Sequence, residues 1–495
     1  MNVLKKLEYN FKKYKNNNAF CINDINYTYN QLFIKVSQIR DIIQKNIPDQ
    51  EQICGLFDYN DIETYATIIA LWFEGKSYIP VSVSSPIERN SYIFESTSIN
   101  FLFSSHSEEN YIENFSVLSS NINSNELIKF KPYIIDESNL LYTIFTSGST
   151  GLPKGVPIDL KNLNSLFSAM KFDERHDIYP TDKCLQMFDL TFDYSIVTFL
   201  YPLLNGACVY TLPKDQIKYM YIYKLINIYQ LNYLIMVPSI INYLKPYFGE
   251  MNFKTVRYSC FGAAPLPLNL VEEWKKCVPN AKIYNSYGPT ENTVTSTYYD
   301  FNDYQNQISK NGIVAIGKPL KGIKTIILDT NNKIVKNGVE GELCVSGNQV
   351  TVGYLNNTKK NKSSFIMYDY EGFNLKFYKT GDLCIKKDDE TLIFIGRKDF
   401  QIKIGGYRVE LGEIEHHSKN FLKNNNISVI DIINKNNETE LALIIANEEF
   451  DTKKLINYLK TKLPSYMIPT KIKFVKELLY NSNGKIDNNK LKSLF

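Results

Sequence analysis

The stretch TSGSTGLPKG, Thr146–Gly155, follows an apolar run, LLYTIF, that predicts a β-strand. Its glycines allow the backbone to approach a ligand closely, and its hydroxyls, backbone N–H groups and Lys154 are donors for phosphate oxygens. The P-loop pattern G-x-x-x-x-G-K-S/T does not fit, because Pro153 precedes Lys154 and Gly155 follows it. An ordinary surface turn would not need this order of glycines, hydroxyls and lysine. We therefore predict a loop that binds a triphosphate.

The composition describes a globular chain of more than one domain. Its 495 residues are 44% hydrophobic and 22% charged, and single hydrophobic cores stop growing at roughly 250 to 300 residues. The net charge of +4 is dispersed, which gives no electrostatic case for nucleic acid or an anionic membrane. The eight cysteines form no CxxC pair, and no signal peptide or long apolar run is present. We expect a cytoplasmic protein without membrane insertion.

Alternation of short and long segments predicts an α/β fold. Runs such as YTIFT (142–146), ACVYTL (207–212) and YLIMV (233–237) have strand character, whereas 158–171 has helical spacing. Residues 341–350 and 391–396 predict a β-rich subdomain. The last part of the chain carries its own strands and helices, enough for a small α+β domain. We place the boundary at Asp399, with a large domain over 1–398 and a small one over 399–495.

Further blocks accompany the phosphate loop in a recognisable order. They are YTYNQL (27–32, preceding it), NSYGPTE (285–291), GELCVSGNQVTVGYL (341–355), YKTGDL (378–383), GRKDFQIKIGGYRVELGEIE (396–415), LPSYMIP (463–469) and NGKID (483–487). Together these blocks resemble the motifs of the adenylate-forming superfamily, which contains acyl-CoA synthetases, luciferases and amino-acid adenylation domains. The resemblance covers nearly the whole chain. It implies the adenylate-forming fold with a mobile C-terminal domain, and it implies ATP and Mg²⁺ as cofactors.

The resemblance also implies a reaction and a set of residues for it. A substrate carboxylate would attack the α-phosphate of ATP, and a thiol would then take the acyl group. The β- and γ-phosphates would be bound by Thr146, Ser147, Gly148, Ser149, Thr150, Gly151 and Lys154. The remaining nucleotide and metal contacts would come from Asn285, from Tyr287 on adenine, and from Thr290 and Glu291 at the α-phosphate and Mg²⁺. Asp382 would bind the ribose hydroxyls, and Arg397 would reach the ribose or phosphate region.

Three residues are expected to be catalytic, namely Lys485, Lys154 and Glu291. Lys485 of NGKID resembles the lysine that bridges the substrate carboxylate and the nucleotide. Asp399 matches the position about which family members rotate the small domain between the two half-reactions. Ser82, Gly405 and Asn488 depart from common family residues, and none of them has a proposed chemical role.

The segment FDYS (192–195) resembles the motif whose aspartate binds a substrate α-ammonium. A buried Asp193 without such a cation would cost about 3 to 5 kcal/mol, which favours amino acids over plain acids. The other interpretation of Asp193 is a helix N-cap. By the same resemblance, the walls of the substrate pocket are expected at Tyr194, Val197, Cys260, Gly262 and Ser286.

Among amino-acid enzymes the chain looks most similar to stand-alone D-alanine:carrier-protein ligases, because of SYIPV (77–81), LPSYMIP and EIEHH. The expected acceptor is then the phosphopantetheine thiol of a separate carrier protein. The run GAAPL (262–266) looks more like acyl-CoA ligases, which keeps an acyl- or aryl-CoA ligase using free coenzyme A as the alternative. A third hypothesis, a nucleotide-binding scaffold without catalysis, conflicts with the presence of Lys154, Glu291, Asp382 and Lys485.

Overall fold

The computed structural model describes residues 2–106, 115–122, 124, 126–128, 136–148, 152–173, 176–302, 308–399, 401–435, 438–447, 449–479 and 486–495. Four residues with a predicted role, Ser149, Thr150, Gly151 and Lys485, lie outside this part of the chain. The chain forms two compact units. The first unit comprises Met1–Ser82, Ser98–Ile144 and Gly155–Lys398, and the second comprises Val83–Thr97, Phe145–Lys154 and Asp399–Phe495.

A nine-stranded sheet dominates the first unit. Its strands, in spatial order, are β17 (Lys318–Pro319), β14 (Thr297–Asp300), β13 (Lys282–Tyr287), β12 (Tyr258–Phe261), β11 (Tyr233–Met236), β9 (Lys183–Gln186), β10 (Cys208–Thr211), β1 (Asn18–Ile22) and β2 (Ile25–Thr28). The strands from β13 to β1 pair in parallel, and the outer strands pair antiparallel. In such sheets, ligands bind outside the carboxyl ends of the parallel strands. This edge is therefore where the substrate site is expected.

A second sheet of six strands belongs mainly to the first unit. Its order is β6 (Ser116–Ser119), β5 (Phe101–Ser104), β3 (Ile53–Asp58), β4 (Ser77–Ser82), β7 (Leu140–Thr146) and β8 (Lys154–Asp159). Helix α3 (Ile62–Phe73) is buried almost all round, as expected for a helix that is apolar on every side. Its Trp72 donates a hydrogen bond to the Leu141 carbonyl of β7 and stacks on Phe199. The helix therefore lies in the core that both sheets share.

The first unit contains further α-helices. They are α1 (Val3–Lys13), α2 (Tyr29–Asn46), α5 (Leu160–Phe172), α6 (Tyr194–Asn205), α7 (Lys218–Tyr229), α8 (Pro238–Leu244), α9 (Leu268–Cys277) and α10 (Thr358–Ser364). Capping residues determine where several of these helices begin or end. Thr28 and Gln31 form a reciprocal capping box at the start of α2, and Gly206 ends α6 with a φ of 80° that glycine adopts without strain.

The predicted β-rich subdomain is a five-stranded antiparallel sheet. Four strands follow the order β18 (Lys324–Leu328), β19 (Glu340–Ser346), β21 (Phe373–Lys386) and β20 (Phe365–Tyr370), and β22 (Leu392–Arg397) pairs with β21. A short hairpin, β15 (Ser309–Lys310) and β16 (Ile313–Val314), completes the first unit. The strands expected within 341–350 and 391–396 are confirmed as β19 and β22.

The second unit has its own hydrophobic cores. Its elements are α4 (Ile87–Thr97), the hairpin β23 (Gln401–Ile404) and β24 (Tyr407–Glu410), α11 (Leu411–Leu422), the sheet of β25 (Ile427–Ile433), β26 (Thr439–Ala446) and β27 (Lys471–Val475), α12 (Lys453–Lys462) and α13 (Asn488–Lys492). Ile414, Leu443 and Leu455 lie in one core, and Ile430, Ala442 and Leu491 lie in another. The α+β character expected near the C-terminus is confirmed. The phosphate loop segment Phe145–Lys154 belongs to this unit.

Candidate functional site

The described part of the phosphate loop is held by hydrogen bonds to strand β24. The Ser147 hydroxyl donates to the Arg408 carbonyl at 2.8 Å and accepts from the Glu410 backbone N–H at 3.1 Å. A Cβ on Gly148 would lie only 2.0 Å from the Leu152 carbonyl oxygen. Since a contact with backbone cannot relax easily, position 148 requires glycine. Gly148 therefore lies closer to the Leu152 carbonyl than any other residue type would allow.

Donors of this loop already contact carboxylates of the second unit. The Gly148 N–H donates to Glu413 Oε2 at 3.3 Å, and Lys154 Nζ lies 3.8 Å from Glu410 Oε1. Glu413 is fully buried and also forms an ion pair with Arg89 at 2.5 Å. Carboxylate oxygens thus lie close to the groups that were predicted to bind phosphate. The donor set fits the oxygens of a triphosphate, which would have to replace these carboxylates.

Glu291 lies in a short 3-10 helix, Thr290–Asn292, directly after the parallel strand β13. The preceding turn is tight, since a Cβ on Gly288 would lie 2.2 Å from the Val294 carbonyl oxygen. The Glu291 side chain is buried, and its Oε1 accepts a hydrogen bond of 2.6 Å from the Tyr354 hydroxyl. Tyr354 was not predicted from the sequence, although it belongs to the quoted block 341–355. A hydroxyl that orients a carboxylate is a common partner of a metal ligand.

The carboxylate chemistry at Glu291 fits Mg²⁺ with few protein ligands. No group of three or more His, Cys, Asp or Glu side chains that could hold a metal ion occurs among the described residues. Mg²⁺ usually keeps several waters and binds one or two carboxylates plus phosphate oxygens. A single oriented carboxylate such as Glu291 suits that pattern.

Asp382, Tyr287 and Arg397 form one cluster. The antiparallel register of β21 and β22 places Asp382 opposite Arg397, and Arg397 Nη1 donates to Asp382 Oδ1 at 2.5 Å. The Tyr287 hydroxyl donates to the second carboxylate oxygen, Oδ2. Burial and the Asp382 charge raise the pKa of Tyr287 well above its usual value, so its hydroxyl stays a donor. An ionised carboxylate has about four acceptor positions, so Asp382 can still accept from a ligand.

Asn285 has a contact that the sequence did not indicate. Its side-chain amide donates to the Ala315 carbonyl at 2.9 Å and so connects β13 to the segment after β16. Thr290 is buried beside Glu291 in the same 3-10 helix. The nucleotide contacts of Asn285 and Thr290 stay predictions.

Asp193 occupies the N-cap position of α6 but does not cap it. Its backbone is αR rather than extended, and its side chain makes no capping hydrogen bond. The carboxylate is buried, with 4% of the residue exposed. The structure therefore disfavours the N-cap interpretation that the sequence left open.

The five expected wall residues are all buried or half-buried in the first unit. Tyr194 and Val197 lie on the first turn of α6, Cys260 lies on β12, and Gly262 follows that strand. Ser286 lies on β13, and its hydroxyl is in hydrogen-bond contact with that of Tyr194. Burial raises the pKa of the Cys260 thiol to about 12, so this thiol is neutral. The structure brings Tyr194, Gly262 and Ser286 into direct contact.

Asp399 is the first residue of the C-terminal segment of the second unit. Its carboxylate Oδ1 accepts from the Gln401 backbone N–H at 3.3 Å. The role of Asp399 as a hinge stays a prediction. Among the residues that the structure describes, no helix combines the length and apolar character that crossing a membrane requires.

Comparisons with known proteins give the family and the fold. A model of the AMP-binding enzyme family matches residues 7–355. Bacitracin synthase 1 of Bacillus licheniformis is 29% identical over 482 residues, which cover 94% of this chain and 9% of that protein. This chain thus spans only a small part of the relative's length.

Two solved structures extend the comparison. The Vibrio cholerae adenylation domain AlmE, in complex with glycyl-adenosine-5'-phosphate, has a TM-score of 0.85 at 22% identity, covering 99% of this chain and 97% of that one. The o-succinylbenzoate CoA synthetase MenE of Bacillus subtilis, bound with a product analogue, has a TM-score of 0.83 at 20% identity, covering 99% and 98%. At these identities the likeness concerns the fold, and the predicted adenylate-forming α/β fold is confirmed.

Proposed function

Because the chain belongs to the AMP-binding enzyme family, we propose that it is an ATP-dependent acid–thiol ligase that activates an amino acid as aminoacyl-AMP. Pyrophosphate is released, and the aminoacyl group then passes to the phosphopantetheine thiol of a separate carrier protein. D-alanine is one of the candidate substrates. The observation that carries the proposal is Asp193, a buried carboxylate at the start of α6 that does not cap its helix.

A buried carboxylate of this kind is stabilised by a cation. The attraction between a carboxylate and a cation is stronger in the low-dielectric interior of a protein than in water. The α-ammonium of an amino acid is such a cation, whereas a fatty or aryl acid brings none. Asp193 therefore selects for amino acids in this proposal.

In the first half-reaction, a substrate carboxylate oxygen bonds to the α-phosphorus, and the bond from that phosphorus to the bridging oxygen of pyrophosphate breaks. Ser147, Gly148 and Lys154 hold the departing phosphates. Glu291, to which the Tyr354 hydroxyl donates a hydrogen bond, would hold Mg²⁺, and the ion would offset negative charge on the phosphate oxygens. Donors and cations aimed at charge that develops in the reaction are usually the largest catalytic contribution.

The nucleoside is held by the cluster around Asp382. Arg397 and Tyr287 each donate to one oxygen of Asp382, and the remaining acceptor positions take the two ribose hydroxyls. The Tyr287 ring packs beside adenine. Because the three side chains fix one another, the ribose can bind without first ordering them.

Lys485 is proposed to bridge the substrate carboxylate and the nucleotide. Loss of a comparable oxyanion partner costs about 2.7 to 4 kcal/mol. The substitution Lys485→Ala should therefore slow adenylate formation by at least roughly a hundredfold. Normal pyrophosphate exchange by this variant would remove Lys485 from the mechanism.

The second half-reaction is proposed to need rotation about Asp399. A hinge residue has to absorb a dihedral change. The substitution Asp399→Pro should spare adenylation and slow thioester formation, because proline fixes φ. Equal loss of both steps would count against the hinge.

A second candidate function is an acyl- or aryl-CoA ligase that uses free coenzyme A. The run GAAPL (262–266) supports it, and the CoA synthetase MenE has the same fold. A cytoplasmic location is part of both proposals, and the free, buried cysteines suit a reducing compartment.

The deciding experiment is ATP–pyrophosphate exchange, screened across L- and D-amino acids and against aryl and fatty acids. We expect exchange with one or a few amino acids. Asp193→Asn should lower it by about a hundredfold or more. The matched control is Ser195→Ala, which truncates a buried neighbour on the same helix turn and should retain exchange. Exchange only with a plain acid, together with tolerance of Asp193→Asn, would favour the coenzyme A ligase.

A further inference from the structure

Asp58 is a buried carboxylate that the proposed reaction does not use. It is the last residue of β3, and only 1% of it is exposed. Its Oδ2 accepts a hydrogen bond of 3.0 Å from the backbone N–H of Leu190, which lies 132 positions away in the chain. Leu190 belongs to the segment 187–193, which joins β9 to α6 and ends with Asp193. The end of one sheet is thus bonded directly to the segment that carries Asp193.

A lysine compensates the charge of Asp58. Lys214 Nζ lies 3.5 Å from Asp58 Oδ1, and it also donates to the Asp58 backbone carbonyl. Burial raises the pKa of Asp58, whereas Lys214 and the hydrogen bond from Leu190 act in the opposite direction. The two carboxylate oxygens therefore have different partners, one a cation and the other a backbone N–H. A charged acceptor of this kind forms a stronger hydrogen bond than a neutral one.

Side chains hold the backbone of the segment 187–193. Gln186, the last residue of β9, bonds both backbone groups of Phe188. Its Nε2 donates to the Phe188 carbonyl at 2.8 Å, and its Oε1 accepts from the Phe188 N–H at 3.1 Å. Asp58 makes the next contact, at Leu190. The path of the segment therefore depends on these two polar side chains.

A turn connects Leu190 to Asp193. The Phe192 N–H donates to the Asp189 carbonyl at 2.9 Å, and Asp193 follows directly. Leu190 is fully buried, and a buried backbone N–H requires an acceptor. Without Asp58 this N–H would lose its partner, so the backbone of Leu190 would have to move. Because the turn is short, such a movement would also displace Asp193.

We propose, resting on the proposed function, that Asp58 is a positioning residue for the site of the substrate amino group. By holding the backbone of Leu190, it fixes Asp193 where the α-ammonium binds. Asp58 itself does not touch the substrate. A misplacement of about 1 Å that originates far from the chemistry is enough to lower activity by about a hundredfold. Loss of this contact should therefore weaken recognition of the amino group.

The test compares two ligands that differ only in the amino group. One is the non-hydrolysable aminoacyl-sulfamoyl adenosine of an amino acid that supports pyrophosphate exchange, and the other is the same compound without its amino group. For alanine these are alanyl- and propionyl-sulfamoyl adenosine. The ratio of their dissociation constants, measured by calorimetry with the full chain, gives the preference for the ammonium. A general loss of stability weakens both ligands equally and leaves this ratio unchanged.

Two substitutions of Asp58 should differ in their effect. In Asp58→Ala the preference should fall at least about tenfold, because Leu190 loses its acceptor. Asp58→Asn keeps an acceptor oxygen but loses the charge, so the preference should fall by about threefold to fivefold. In both variants the KM for ATP in pyrophosphate exchange should stay within about twofold of the wild type, because Glu291 and Asp382 belong to other elements.

Asp182 offers a matched control in the same unit. It is also buried, its Oδ2 accepts from the Tyr179 backbone N–H at 2.7 Å, and its Oδ1 accepts from Arg257 Nε at 3.0 Å. Asp182 precedes the first residue of β9, whereas the segment 187–193 follows the last one. Asp182→Ala therefore removes the same kind of buried pair at the opposite end of the strand. It should keep the preference within about twofold of the wild type.

The outcomes separate this inference from the proposed function. An unchanged preference in Asp58→Ala, or an equal fall in Asp182→Ala, overturns the inference and leaves the proposed function intact. A wild type that binds both compounds equally overturns the proposed function itself, because Asp193 then recognises no ammonium. If Asp58→Ala does not fold, Asp58→Asn decides the question. An unchanged preference in Asp58→Asn overturns the inference, and a fall of about threefold or more supports it.

Discussion

Removal of the Tyr354 hydroxyl should lower the apparent affinity for Mg²⁺, although the proposed metal ligand Glu291 stays unchanged. The Tyr354 hydroxyl donates to Glu291 Oε1 at 2.6 Å, and both side chains are buried. No water can easily replace the lost donor at such a place. In Tyr354→Phe the carboxylate of Glu291 loses the group that orients it, while the aromatic ring and its packing remain.

The magnitude follows from the charge on the acceptor. A hydrogen bond to a charged group contributes about 1.5 to 3 kcal/mol, and partners of a metal ligand typically change affinity by about 10- to 100-fold. We expect the concentration of free Mg²⁺ that half-saturates pyrophosphate exchange to rise by at least about tenfold. The maximal rate at saturating Mg²⁺ should fall less.

The assay is pyrophosphate exchange at saturating amino acid and ATP, with free Mg²⁺ varied. Tyr29→Phe is the matched control. Its hydroxyl is equally buried and donates to a backbone carbonyl, that of Ala207, at 2.8 Å. Tyr29→Phe should lose about 1 kcal/mol of stability and Tyr354→Phe about 1.5 to 3 kcal/mol, but only Tyr354→Phe should change the Mg²⁺ dependence. An unchanged Mg²⁺ dependence in Tyr354→Phe, or an equal change in both variants, would refute the reasoning.

Three further variants test other contacts. Asp382→Asn should raise the KM for ATP in pyrophosphate exchange by about tenfold or more, because it loses charge-assisted hydrogen bonds. Glu413→Gln should lower the free energy of unfolding by about 3 kcal/mol in urea titrations, because Arg89 is left without its buried partner. Burial and neighbouring cationic groups lower the pKa of His417 to about 4, so between pH 6.5 and 4 the unfolded chain binds a proton that the folded chain does not. The wild type should therefore lose about 1 to 2 kcal/mol more stability than His417→Gln as the pH falls through this range.

Neighbouring groups supply the controls. Glu88 forms a more exposed ion pair with Lys462, so Glu88→Gln should cost less than about 1 kcal/mol, and equal losses in Glu88→Gln and Glu413→Gln would contradict the role of burial. His416 contributes to the lowered pKa of His417, so His416→Gln should show a smaller loss of stability between pH 6.5 and 4 than the wild type. If the free energy of unfolding changed equally with pH in the wild type and in His417→Gln, His417 would have no influence on the pH dependence of stability. An ATP KM in Asp382→Asn equal to the wild-type value would remove Asp382 from the ribose site.

Much of the secondary structure could be predicted from short stretches. The runs at 142–146, 207–212 and 233–237 correspond to β7, β10 and β11, because β-branched and aromatic residues favour strands through local packing. The helical spacing within 158–171 predicted α5, although the first residues of that range extend β8. Boundaries depend on hydrogen-bond partners elsewhere in the chain, and the sequence does not display them.

The residues of the candidate site could be predicted from the sequence, but the contacts between them could not. Motif resemblance proposed separate roles for Tyr287, Asp382 and Arg397, yet Tyr287 and Asp382 share a hydrogen bond across 95 positions of the chain. The role of Tyr354 could not be predicted, because nothing in the sequence of the block 341–355 indicates that this tyrosine contacts the Glu291 carboxylate. Tyr194 was expected as one wall of a pocket, whereas its contact with Ser286 closes the space between them.

The sequence by itself determined the alternation of strands and helices, the glycine at position 148 and the donors of the phosphate loop. These properties depend on residues close together in the chain, so periodicity and residue type are sufficient. Only the tertiary structure decided that carboxylates of the second unit contact the loop donors, that Tyr354 orients Glu291, and that Tyr194 fills the space beside Gly262. Such contacts depend on strand register and packing between distant segments, and a change of a few ångströms in either would separate the same residues.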